Sequence, residues 1–519
     1  MKITSQKSKV KSFRFLLFLL VFALFTLNFF SPAFAVSKVS TDNISVASGY
    51  SIKPILDKLN GPSALAFDDS GNIFLAESGF AEAGGAKVLK ISPEGKAIST
   101  LTGFDAPING LAFFKGKLYV SHRGKVSSVA SDGTIQDIIK GLPSDGDFSN
   151  NQILIGTDKK LYITQGTVTN AGIVGEDNLV TGWLRENADL ADVPCQSLSL
   201  NGVDFASNQN TTGAFVPFGS TTNEGQQVKG SKPCNGSIMR IDPTNPKEIE
   251  VIAWGLRNPV GIGTDSKGKI YFTEQGFDLR GRRLIKSSGD NFYALDGKWY
   301  GWPDYSAGQP ISLSKFKLAG TFQPQFVLQD HPGKEMPPSP LAQFKPYSRV
   351  AGFAFSPEKF GFKDQIFVAL SGSVKGLTDG SDKNSGFSVV RLDLKGRKIS
   401  DFITNKKANN KSGPASTIGK SGIERPTDVK FSPNGEMYVA DFGVLNVKDN
   451  TLKAKPESGV LWKVSKGASL FGFAVENPLT VEVGLGIIVA GGLILYFLFK
   501  KSPKNKPLKP RYFFFCWHN

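Results

Sequence analysis

The chain is poor in the residues that build metal clusters and covalent frameworks: 519 residues hold three His, three Cys and four Met. So few ligands, scattered along the chain, form no zinc or haem constellation, and a disulfide-dense scaffold is excluded. Charged residues are also sparse, at 20%. A composition of that kind with 40% hydrophobic residues excludes disorder and coiled coil. Acids fall short of bases, 45 against 61, for a net charge of +16. The two ends hold most of it, since residues 1–35 carry +5 and residues 500–519 carry +6 without an acid, which leaves +5 between them. No basic stripe interleaved with aromatics lies in that middle segment, so nucleic acid is not an expected partner.

The abundant residues are 56 Gly, 29 Pro and 41 Phe, among many Val, Ile and Thr. They suit many short strands joined by turns. The ends behave differently. Basic residues up to Arg14 precede an apolar run from Phe15 to Phe30 and then Ala33-Phe34-Ala35, the pattern of a signal peptide over 1–35, with an uncleaved anchor as the alternative. Leu479 to Phe499 is a 21-residue apolar run followed by Lys500, Lys501, Lys504, Lys506, Lys509 and Arg511. Such a run predicts a transmembrane helix over 479–499, a tether over 465–478 and a basic cytoplasmic tail over 500–519. A single-pass protein of the cell membrane, with its main domain outside the cytoplasm, is the expected arrangement. Cys195 and Cys234 would lie on the oxidising side and flank a polar stretch, so one disulfide is predicted between them.

Between the ends one pattern recurs: an apolar run, a polar turn, and an alternating strand that stops near a Gly. The copies are Ser63–Gly79, Ile108–Gly124, Asn150–Gly166, Pro259–Gly276, Val350–Gly372 and Pro426–Gly443. Each reads as a hairpin, which cannot bury its apolar face alone. Six sheets arranged radially can, so residues 36–464 are predicted to form an all-β, six-bladed propeller. Long insertions after the third and fourth copies should decorate one end of its axial funnel.

The segment Gly255-Leu256-Arg257-Asn258-Pro259, the strand that follows it, Tyr300-Gly301-Trp302-Pro303, and Arg425-Pro426-Thr427-Asp428 resemble the soluble quinoprotein glucose dehydrogenase and sorbosone dehydrogenase family. The resemblance runs from about Gly49 to Val464. It implies pyrroloquinoline quinone (PQQ) in the funnel, bound by Arg257, Asn258 and Arg425, with Arg257 also serving catalysis. It further implies calcium in the turn Gly276-Phe277-Asp278, a sugar or polyol as substrate, and electrons passed on to an acceptor in the membrane.

The departures matter as much. The family places its catalytic His ten residues before the Asp of the third hairpin turn; counting back from Asp158 gives Phe148. Its acidic partner corresponds to Thr167, Tyr347 stands where the sorbosone-type relatives carry a His, and Thr427 replaces a cofactor-binding Arg. Asp147, beside Phe148, is the candidate substitute base, because a desolvated carboxylate gains proton affinity. His122 is a further ligand candidate at a strand end, and Glu77, Glu274 and Asp441 end strands that point towards the axis. Two functions fit: a membrane-anchored sugar oxidoreductase, or a propeller without catalysis that binds a carbohydrate or a protein partner.

Overall fold

The computed structural model describes residues 39–467, apart from residues 83, 208–209, 333–335, 379–384, 407–412 and 420. Six antiparallel sheets stand around one axis. The inner two strands of every sheet are one of the six predicted hairpins, beginning at Pro62, Ile108, Asn150, Asn258, Val350 and Pro426. Each hairpin forms for the expected reason: alternating apolar residues flank a turn with Gly or Asp, as where Asp68 holds the turn of the first hairpin through the N–H groups of Ser70 and Asn72. The innermost strands touch one another in cyclic order, the sixth returning to the first.

Closure comes from the amino-terminal side. Tyr50–Leu59 adds the outermost strand to the last blade, beside Gly459–Lys466. That blade therefore joins an amino-terminal strand to the carboxy-terminal one, and the ring is latched by main-chain hydrogen bonds. Ile44–Val46 adds a fifth strand to the blade before it, pairing with Ile403–Asn405. Neither of these two strands belongs to the six hairpins that the sequence predicts.

A separate apolar cluster fills the gap between each pair of blades. Between the fifth and sixth, Phe367, Val389, Val439 and Trp462 are fully buried; between the sixth and first, Leu65, Leu75 and Leu461 are. The long insertions fold over the third and fourth blades around Trp299, Trp302, Phe316 and Leu328. Cys195 and Cys234 form the predicted disulfide there. Gly255 shows why this packing is sequence-specific: its φ is +68°, and a β-carbon would stand 2.1 Å from the Trp299 ring.

The anchored arrangement expected above is corrected. Among the described residues no helix is long and apolar enough to cross a membrane. The segments 1–35, 479–499 and 500–519, and the tether beyond residue 467, lie outside the described residues. The single-pass location, the membrane partner and the membrane electron acceptor are therefore not carried forward.

Trp462 is wholly buried and its Nε1 donates to Asp441. Trp462→Ala is expected to cost about 3–5 kcal/mol, read as a lower denaturant midpoint in urea unfolding followed by tryptophan-independent circular dichroism.

Candidate functional site

The innermost strand of each blade is a sheet edge, and its free carbonyls face the axis. Side chains from neighbouring blades satisfy many of them. Ser63 Oγ donates to the Ile108 carbonyl at 2.7 Å, Asn109 Nδ2 to that of Asn150 at 3.0 Å, and Asn151 Nδ2 to that of Pro259 at 2.9 Å. Gln275 Nε2 reaches the Val350 carbonyl at 2.9 Å, and Thr427 Oγ1 that of Pro62 at 2.8 Å. These amides and hydroxyls line an axial funnel of about 190 Å3. Below it Lys430 plugs the channel, with Nζ 3.4 Å from Gln152 Oε1, Asp428 Oδ1 and the Phe353 carbonyl. Gly352 makes room for the plug, since a β-carbon would stand 2.0 Å from Asp428.

Arg257 does not reach the open funnel. It is 2% exposed and lines a side cavity of about 20 Å3, room for about one water. Its Nη2 is 2.6 Å from Asp278 Oδ2 and its Nε donates to Asn170 Oδ1 at 3.0 Å. The Phe148 ring stacks on the guanidinium at 4.4 Å, a cation–π contact that covers it. Asp278 also faces Arg280 and Arg349, each at 3.5 Å. Burial alone would raise the Asp278 carboxyl, yet Arg257, Arg349 and Arg280 hold it below its ordinary value.

Arg280 is the residue that sequence inspection missed. Nearly buried, it bridges Asp147, Asp177 and Asp278. The run Arg280-Gly281-Arg282-Arg283 was its one visible signal, because three guanidiniums in a folded insertion require acids nearby. Asp147 is held in return. Besides Arg280 it accepts from Thr181 Oγ1 at 2.7 Å, Trp183 Nε1 at 2.8 Å and Asn178 Nδ2 at 3.0 Å. A carboxylate with four donors has no lone pair directed at a substrate, so the substitute-base role is withdrawn.

Asn258 lines the funnel, but its amide is committed on both sides, donating to Gln275 Oε1 and accepting from Asn151 Nδ2. Arg425 lines it too. Its Nη1 donates to the carbonyls of Ser371, Gly372 and Ser373, and its guanidinium stacks on Phe387 at 5.0 Å.

The strand-end acids have a task unlike the one expected. Glu77 accepts from the Asn60 N–H at 2.6 Å, Glu274 from that of Arg257 at 2.6 Å, and Asp441 from those of Glu424 and Arg425 at 2.9 and 2.6 Å. Each carboxylate holds the chain as it enters an inner strand. His122 does the same in the second blade, where its Nδ1 accepts from the Asp105 N–H and its Nε2 meets Ser127 Oγ at 2.8 Å. His331 sits 3.1 Å from Asp304 and stacks on Trp299.

No family model matches the chain. Quinoprotein glucose dehydrogenase B of Acinetobacter calcoaceticus is 25% identical over 287 residues, which cover 49% of this chain and 52% of that protein. The chain thus matches about half the length of this curated relative. The holo form of the PQQ domain of pyranose dehydrogenase from Coprinopsis cinerea superposes with a TM-score of 0.52 at 17% identity, covering 84% of this chain and 99% of that one. The calcium structure of a Trichoderma reesei carbohydrate-active enzyme of family AA12 gives 0.51 at 15% identity, over 83% and 99%. The chain is a six-bladed β-propeller related to the PQQ-dependent glucose/sorbosone dehydrogenases.

Of these similar structures, one is described as a holo form of a PQQ domain and one as a calcium structure. The residues expected to hold those two groups do not fit them here. The Asp278 carboxylate is enclosed by three guanidiniums, and its main-chain oxygen already accepts from Asn170 Nδ2 at 2.9 Å. A divalent cation would meet positive charge there instead of open oxygens. For the quinone, Arg257 is screened by Phe148, and Asn258 and Arg425 are spent on protein partners.

Glu274 gives this geometry a pH signature. Burial raises its carboxyl to about 8, against the N–H groups of Arg257 and Asn258. Between its unfolded value and about 8 the folded propeller holds the extra proton, so this group's stabilisation is lost as pH rises through that window. Glu274→Gln is expected to gain stability relative to wild type at pH 9 compared with pH 5, measured by urea unfolding at both values.

Proposed function

We propose that the propeller binds a carbohydrate in its axial funnel and has lost the dehydrogenase reaction of its relatives. The carrying observation is the position expected to hold the base. Phe148 stands there and its ring lies on Arg257, while the adjacent carboxylate of Asp147 is saturated. Removing hydride from an alcohol carbon requires a group that accepts the hydroxyl proton at the same time. Neither Phe148 nor Asp147 can accept it.

Binding is supported by the lining. A sugar presents alternating hydroxyl donors and acceptors, and the funnel offers the hydroxyl oxygens of Ser63 and Thr427 and the amide oxygens of Asn109 and Asn151 beside the apolar rings of Phe80 and Phe442. Mixed walls of this kind hold hydroxylated ligands by bifunctional hydrogen bonds and ring stacking. The names of the relatives, a glucose dehydrogenase, a pyranose dehydrogenase and a carbohydrate-active enzyme, point to the same substrate class. In those relatives the quinone would supply the hydride acceptor. Here the residues of the chain bind and orient, and no redox step is assigned.

The full-length protein titrated with aldoses by isothermal calorimetry should show saturable binding. The same protein incubated with PQQ and calcium should reduce no dye with glucose. Turnover by the wild-type chain under those conditions would overturn the loss of catalysis, and absence of any saturable sugar binding would overturn the binding function.

A further inference from the structure

Two guanidiniums share the funnel wall with the neutral amides. Arg425 and Arg349 both line it, and each lies close enough for the positive charge of Arg349 to disfavour that of Arg425. Among the described residues Arg425 has no carboxylate within ion-pair distance; its four hydrogen bonds go to main-chain carbonyls, which satisfy its donors without neutralising it. Arg349 is the less committed of the two. Its Nη1 lies 3.5 Å from Asp278 Oδ2 but makes no hydrogen bond among the described residues. Asp278 is already shared with Arg257 and Arg280, so its charge is divided among three cations.

The carboxylates on this side compensate in part and without a direct ion pair: Glu424 and Asp441 favour the charge of Arg425, and Asp290 faces Arg349. Asp147 is bound to Arg280, Asp441 caps the main chain, and Glu424 is held by Ser416. Asp428 lies below, beside Lys430. The backbone marks the same place: Arg349 has φ of +51°, in the left-handed region that a residue with a β-carbon rarely enters.

Two neighbouring cations lining a cavity otherwise made of amides and hydroxyls form a receptor for a hydroxylated anion. We propose that the funnel ligand is an acidic carbohydrate, a hexuronate, whose carboxylate is bound by Arg349, with the charge of Arg425 beside it. An anion between them relieves their mutual repulsion, which a neutral sugar cannot do. This inference rests on carbohydrate binding in the funnel and specifies the class of sugar.

The test compares glucuronate, glucose and inorganic sulfate as ligands of the full-length protein by calorimetry. A charge-assisted hydrogen bond corresponds to roughly tenfold to a hundredfold in affinity, so glucuronate should bind at least about tenfold more tightly than glucose. Arg349→Gln should bring that ratio close to one, and Arg349→Lys, which keeps the charge but loses the fork, should retain part of it. The melting temperature of each variant shows that it is folded. Equal binding of glucose and glucuronate would overturn the acidic-sugar assignment while leaving carbohydrate binding intact. Sulfate binding as tightly as glucuronate would reduce the site to a simple anion site and overturn it too. No binding of either sugar would instead remove the reading on which it rests.

Discussion

A six-bladed propeller must dispose of six inward-facing sheet edges, and that constraint shapes both the stability and the site of this protein. An unpaired carbonyl shielded from water costs as much as a lost hydrogen bond. Here the edges are satisfied across blade boundaries by Ser63, Asn109, Asn151, Gln275 and Thr427, each side chain reaching the adjoining inner strand. The same groups that close the ring therefore clothe the funnel. A polar, hydroxyl-compatible cavity is a by-product of closure, and specificity must come from whatever is added to it. What is added here is the pair Arg349 and Arg425.

The hairpins were legible because they are local. Alternation with period two and a Gly or Asp turn are written within about 17 residues, and neither depends on what the strand meets later. Tyr50–Leu59 was not legible for the opposite reason. It contains Pro54, lies at least 400 residues from its partner Gly459–Lys466, and shows no clean alternation because its burial is only partial. Ring closure supplies the missing information, since a fourth strand must come from somewhere and the amino-terminal segment is the one left over.

Side-chain roles were legible only where chemistry and geometry agree. The acids at strand ends were visible as Glu77, Glu274 and Asp441, but their direction was not. An acid that ends an inner hairpin can face the funnel or turn back to hold the incoming main chain, and the free N–H groups at Asn60, Arg257 and Arg425 decide it. The loss of the base was legible from a count of residues, whereas the filling of its place was not. That Phe148 stacks on Arg257 requires the third and fourth blades to be adjacent, a fact of the ring and not of either segment.

The persistence of Arg257 in a site without a base has a physical explanation that does not involve catalysis. Arg257 and Asp278 form a buried pair with 2.6 Å between Nη2 and Oδ2, and Asn170 and Phe148 complete its surroundings. Once such a pair is buried, removing Asp278 strands the Arg257 charge in a low-dielectric interior, at about 3–5 kcal/mol. Replacing both with apolar residues is the inexpensive route, but it needs two coordinated changes and a refilled cavity. The motif around Arg257 is thus held in place by the fold even after its chemical role has gone. A sequence signature of this kind reports descent and packing reliably, and it reports activity only when the base that would use it is present.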